Sequence, residues 1–220
     1  MVVPTLGALV YFVLSSDSII GQITYGIDKL FLLFFPALAT YLWFRSPKPA
    51  QPHPQPHRKT SLLLGIGSGV AISAVTFALM ASPLGELVRA AAPNIAEKAN
   101  SLGFAQHFLL FAIFLSVVHS AIEEYYWRWF VYRRLDDRSK NPTTAHTIAA
   151  VAFAAHHLVI LWQFFPPIPA IAFSACVGIG GAIWSVIYRR TGSLIGPWVS
   201  HMIVDFALMA IGHQLITSVT

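Results

Sequence analysis

Two adjacent carboxylates, Glu123 and Glu124, sit with Arg128 inside the apolar run HSAIEEYYWRWF. An ionised carboxylate in hydrocarbon costs at least a few kcal/mol even on lenient insertion scales, so two of them require partners, water or a chemical task. Other apolar runs downstream carry His157, and then His201 with Asp205. Acids and imidazoles on separate stretches of this kind can accept, hold and return protons. The chemistry they suggest is general base catalysis inside a membrane.

Helical geometry sorts the acidic run. Glu124 and Arg128 are four residues apart and share a face, where they can pair. Glu123 lies about 100° round the helix from that pair, so one carboxylate can be neutralised while its neighbour faces the bundle interior. A carboxylate withdrawn from water is a stronger base than one in bulk solvent. An interfacial charge cluster at a helix end would satisfy the same three residues. His201 and Asp205 are also four apart, and by themselves could be no more than a buried hydrogen-bonded pair. Of the adjacent His156 and His157, only one is expected to point at the centre faced by His201; Phe153 shares the face of His157.

These groups need elements to hold them, and composition says which. Of the 220 residues 56% are hydrophobic and only 10% charged, with a mean hydropathy of +0.65. Soluble domains carry about a quarter charged residues, so this chain belongs in a bilayer. Apolar stretches fall near 2–24, 26–44, 61–81, 103–132, 144–165, 168–188 and 194–216. They predict an all-α polytopic transmembrane bundle of about seven spans (six to eight), forming one integral-membrane domain over 1–220. The runs are too long and too continuously apolar for barrel strands. The N-terminal run lacks a positive leading segment and reads as a retained span.

The net charge of +5 would suggest nucleic acid in a soluble protein. Here the basic residues lie in short loops, which indicates orientation and no nucleic-acid partner. Segment 45–60 holds Arg45, Lys48, Arg58 and Lys59 among prolines and reads as a stiff cytoplasmic connector. Its His53 and His57 could offer at most a weak adventitious metal site. Segment 82–101 is charge-balanced, 133–143 is basic, 164–169 is uncharged, and Arg189 with Arg190 follows. Basic and non-basic loops alternate, placing the N-terminus in the cytoplasm of a cell with the chain in its plasma membrane. The single cysteine, Cys176, permits no intrachain disulfide and no CxxC metal site, and reads as packing. The run GIGGA at 178–182 predicts close helix contact.

The spacing then resembles a known family. EEYYWR at 123–128, FAAHH at 153–157 and HMIVD at 201–205 are similar to the EExxxR, FxxxH and HxxxN/D motifs of the CAAX protease and bacteriocin-processing family of intramembrane glutamic-type endopeptidases, relatives of the CAAX prenyl-protein endopeptidase. The resemblance covers roughly 104–210, the expected catalytic core, and selects His157 over His156. It implies that Glu123 activates a water with help from His157, and that His201 and Asp205 bind that water or the oxyanion. Glu124 and Arg128 would fix the motif helix. Asp205 stands where Asn is common in the prenyl-protein endopeptidases, and Trp127 and Trp129 replace the usual Phe and Gly. The implied substrate is a membrane-tethered protein or peptide processed near its C-terminus.

Glutamate catalysis without a cofactor is the expectation. His157, His201 and Asp205 are chemically suitable as zinc ligands, the alternative, although no HExxH pairing occurs. No GxSxG sequence supports a serine nucleophile, and Ser116, Ser120, Ser174 and Ser200 are expected to make helix contacts. A proton-coupled transporter or channel is a rival reading, weakened by the lack of an evident internal repeat. A non-catalytic membrane scaffold is another, opposed by the intact Glu123, His157 and His201.

Overall fold

The computed structural model describes residues 2–14, 19–43, 57–101, 103–139 and 141–219. Helix α1, Val2–Ala8, continues into a π-helical stretch, Leu9–Leu14. It is followed by α2 (Ile19–Leu42), α3 (Arg58–Met80), and the short α4 (Pro83–Ala90) and α5 (Ala92–Ser101). Then come α6 (Ala105–Arg138), α7 (Pro142–Leu161), α8 (Pro167–Thr191) and α9 (Ile195–Thr217). The described residues contain no strand. Among the described residues six helices (α2, α3, α6, α7, α8 and α9) are long and apolar enough to cross a membrane, and Val2–Tyr11 adds a shorter apolar helix. The protein is an all-α polytopic membrane protein.

The N-terminal boundaries differ from those expected. Within the apolar stretch 2–24, residues 2–14 form α1 and its π-helical continuation, while α2 begins at Ile19 and passes through the expected break near residue 25. Its charges tolerate burial because they meet each other: Lys29 Nζ lies 3.4 Å from Asp28 Oδ2 and 5.0 Å from the Tyr25 ring centroid. Most of the proline-rich connector, with His53, lies outside the described residues. Its end is helical, since α3 begins at Arg58. The exposed His57 donates its backbone N–H to Thr191 O at 2.8 Å, tying the start of α3 to the end of α8. There Gly192 takes φ +64 and stops the helix.

Small residues set the closest approach. A Cβ on Gly65 of α3 would overlap the carbonyl oxygen of Gly196 in α9, so these helices pack backbone to backbone. Ser61 fills the same seam, accepting the Gly196 N–H at 2.9 Å. A buried aromatic cluster then joins α2, α6, α7, α8 and α9 through Leu32, Tyr126, Trp127, Phe153, Trp184 and Val204. Much of the exterior is apolar side chain, as a lipid-facing surface requires.

The acidic pair sits on an irregular helix. In α6 the regular segment Ser120–Glu124 is flanked by π-helical stretches, Phe114–His119 and Tyr125–Tyr132. Such wide turns shift the angular position of neighbouring side chains and recur at functional sites.

Candidate active site

Glu123 and Glu124 are both 1% exposed. Arg128 Nη1 donates to Glu124 Oε1 at 2.9 Å, and Arg128 Nη2 donates to the carbonyl of Gly181 at 3.1 Å. The guanidinium also lies 4.7 Å from the centroid of Phe153 and 5.0 Å from that of Trp184. The buried arginine is therefore held by a carboxylate, a carbonyl and two aromatic faces, although its Nε has no hydrogen-bond partner. Gly181 makes this possible: a Cβ there would lie 2.9 Å from Phe153 and 3.1 Å from Arg128 Nη2. The small residues of GIGGA thus serve the site as well as the helix contact.

Glu124 has a second partner, His201, whose Nδ1 lies 2.9 Å from the same Oε1. A carboxylate only accepts, so Nδ1–H is the donor and Nε2 faces inward. That Nε2 is 3.6 Å from Asp205 Oδ1 and 3.9 Å from Glu123 Oε2. The His201 ring stacks on Trp184 at 4.2 Å, which sets its plane. Trp184 is held in turn by donating to Ser200 Oγ at 2.9 Å. Asp205 Oδ2 is buried without a hydrogen-bond partner.

His157 is oriented by its own helix. Its Nδ1 lies 3.0 Å from Phe153 O, a carbonyl that can only accept, and its ring packs 4.4 Å from the Phe153 ring. Its Nε2 is left as the free face. His156, the neighbour that the motif spacing passes over, is 2% exposed and also meets the centre: its Nε2 is 3.8 Å from Glu123 Oε1. Of the two, His157 shares the cavity with His201, whereas His156, about 100° round the helix, reaches Glu123 at its other oxygen, Oε1, on the side away from His201. His119 was not anticipated either. Its Nε2 lies 3.4 Å from Glu123 Oε1, one helical turn earlier. The i,i+4 rule that pairs Glu124 with Arg128 would have found it.

His157, His201 and Asp205 line one cavity of about 290 Å³, and Glu123 is not among its lining residues. The rest of the wall is almost wholly apolar, including Ile72 and Met80 of α3, Leu84 and Val88 of α4, and Val177 of α8. Segment 82–101, expected as a loop, forms α4 and α5, and α4 thereby contributes wall residues. Cys176 is exposed and lines the same cavity, which corrects its reading as packing. The serines make the expected helix contacts. Ser120 Oγ donates to Ser116 O, Ser174 Oγ to Ala154 O at 2.6 Å, and Ser68 Oγ to Ser200 Oγ at 2.9 Å.

Zinc fits this arrangement poorly. Among the described residues no three His, Cys, Asp or Glu side chains converge as ligands.

The family model for Rce1-like type II CAAX prenyl endopeptidases matches residues 105–207, the stretch that carries all three motifs. No curated protein and no solved structure matches the chain.

Proposed function

We propose, from a chain whose residues 105–207 carry the type II CAAX prenyl endopeptidase pattern, an intramembrane endopeptidase that hydrolyses a peptide bond in a membrane-tethered polypeptide. The observation that carries this reading is the meeting of Glu123, His201 and Asp205 beside an apolar cavity, on helices of membrane-crossing length.

In this mechanism the substrate enters the cavity laterally from the bilayer, and its apolar part lies against α3, α4 and α8. A water between Glu123 and the cavity gives a proton to the Glu123 carboxylate as its oxygen attacks the scissile carbonyl. His157, presenting Nε2, accepts a hydrogen bond from that water and orients it. His201 and Asp205 stabilise the tetrahedral intermediate from the opposite side. The proton held by Glu123 then passes to the leaving amine. Glu124 and Arg128 hold His201 and α6 in register, and no metal is required. Asp205 adds a carboxylate beside the oxyanion, so its proton or that of His201 must face the developing charge. In this reading the basic residues around 133–143 put that loop in the cytoplasm. Counting back through α6, α3 and α2 then puts the start of α2 on the opposite side, so a cytoplasmic N-terminus requires the segment before α2 to cross as well.

The test uses detergent-purified protein with tethered peptides bearing prenyl, acyl or helical anchors. Wild type is expected to cleave at least one anchor class and to keep its activity after exhaustive chelation. Glu123→Gln should fold and show no turnover, because the amide keeps the shape but cannot take the proton. Near-normal turnover by Glu123→Gln would overturn the general-base assignment. Activity restored only by added zinc would overturn the metal-free mechanism.

A further inference from the structure

Glu123 has two sides. One faces His201 and, beyond it, the apolar cavity. The other is closed by His119, His156 and the N-terminal helices, outside the stretch that matches the family. The two imidazoles on this closed side differ chemically. His119 Nε2 lies 3.4 Å from Glu123 Oε1 without a hydrogen bond, and that oxygen has no hydrogen-bond partner. His156 is constrained from behind: its Nδ1 lies 3.0 Å from the carbonyl of Pro4 in α1. A carbonyl can only accept, so Nδ1 carries the proton and a neutral ring turns the lone pair of Nε2 toward Glu123, 3.8 Å away. Pro4 is buried, and α1 packs directly on α7, so this constraint belongs to the folded core.

We infer that His156 is a positioning and proton-holding partner of Glu123, with its tautomer set by the N-terminal helix. The inference rests on the peptidase reading above. Once Glu123 has taken a proton from water, its neutral carboxyl can pass that proton to His156 Nε2, directly after a small shift or through one water. The O–H bond of Glu123 breaks, an N–H bond forms on Nε2, and Glu123 is an anion again. Nδ1–H keeps its bond to Pro4 throughout. The proton returns along the same path to Glu123 and then to the leaving amine, so the cycle balances without another reactant.

The groups able to tune this exchange come from every element packed round it, among them Tyr11 of the π-helical stretch Leu9–Leu14, Tyr25 of α2 and His201 of α9, each of which acts on Glu123. Glu123 faces His156 from α6, with His119 against the same carboxylate oxygen, and His157 lies edge-on at 5.1 Å in α7. From α2, Lys29 acts on His156 through space, with Asp28 as its ion-pair partner. The contacts Phe31–Tyr126 and Phe35–Phe130 step together by four residues, so α2 and α6 run parallel here. One turn earlier, the same register sets Asp28 beside residues 122 and 123.

The discriminating variant is His156→Asn. Its side-chain N–H occupies the place of Nδ1–H and can still donate to Pro4 O, but it offers no base toward Glu123. A purely structural His156 predicts that Asn preserves turnover. The inference predicts that kcat falls roughly 10²-fold, the usual scale of a proton-transfer contribution, with KM unchanged and one ionisation missing from the kcat–pH profile. Wild-type kcat and pH profile in a folded His156→Asn would overturn it. A second measurement needs no substrate: nitrogen-15 spectra of histidine-labelled protein, with the His156 signals identified by their loss in His156→Asn. A protonated Nδ1 and bare Nε2 are expected, and the opposite tautomer would overturn the inference even if cleavage is intact. Absence of any cleavage by wild type would instead remove the peptidase reading, and the spectra distinguish that failure from this one.

Discussion

The stretch 105–207 and the hundred residues before it bury very different things. The later stretch withdraws Glu123, Glu124, Arg128, His156, His201 and Asp205 from solvent, whereas among the described earlier residues the buried polar side chains are Asp28, Ser61 and Ser73. Yet the earlier residues are not a passive shell. They supply Ile72, Met80, Leu84 and Val88 to the cavity wall, and the Pro4 carbonyl that holds His156. The comparison teaches that the reacting groups are concentrated in one half while the volume and orientation around them are made by both. A motif search sees only the first kind of contribution.

The sharpest way to break this comparison is Glu124→Gln. Removing one partner of a buried ion pair typically costs about 3–5 kcal/mol, and here it strands Arg128 and loosens His201 together. A large drop in detergent unfolding temperature is expected, and a shift within error would show that the pair is not what holds α6 to α8 and α9.

His201→Ala should act on chemistry more than on folding. Loss of an oxyanion donor is worth roughly 10²–10³-fold in kcat, or about 2.7–4 kcal/mol. Turnover measured at saturating substrate would check it, and a change confined to KM would move His201 from chemistry to substrate binding.

Val88→Trp tests the other half. The larger side chain would fill part of the cavity wall on α4, so KM should rise about tenfold with kcat retained, about 1.4 kcal/mol of binding. An equal fall in kcat would mean that α4 also shapes the reacting geometry.

The smallest effect is expected at the exposed clasp of α4. Arg89 donates to Met80 O at 3.0 Å and to Glu86 at 2.7 Å. The hydrogen bond and charge of Arg89 hold the Glu86 carboxyl below its ordinary value. A carboxyl lowered by folding stabilises above its unfolded value, and that contribution disappears as pH falls through the folded one. Glu86→Gln should therefore lower the unfolding temperature slightly at neutral pH and not at all in strong acid. A difference that persists in acid would assign the effect to packing instead of charge.

Much of this protein was legible in its residues because burial in lipid is so restrictive. Long apolar runs have few ways to satisfy their backbone other than as helices, and a charge within them must be paired or used. EExxxR at 123–128, FxxxH at 153–157 and HxxxD at 201–205 mark the stretch that the family model matches. Even the pairing of Glu124 with Arg128 follows from helical spacing. Two local signals went unread: the four-residue step from His119 to Glu123, and the mutual neutralisation that lets Asp28 and Lys29 sit within α2.

The rest needed the tertiary structure, because it depends on groups distant in sequence and unremarkable in type. Nothing about Pro4 announces a carbonyl that meets His156, 152 positions away. Nothing in segment 82–101 announces that Leu84 and Val88 close a cavity against α8 and α9. The sequence by itself determined the solvent, the helices and the ionisable groups, since those follow from local chemistry and period. Which nitrogen of each imidazole faces Glu123, and what space lies beside it, was decided only when helices from both halves packed together.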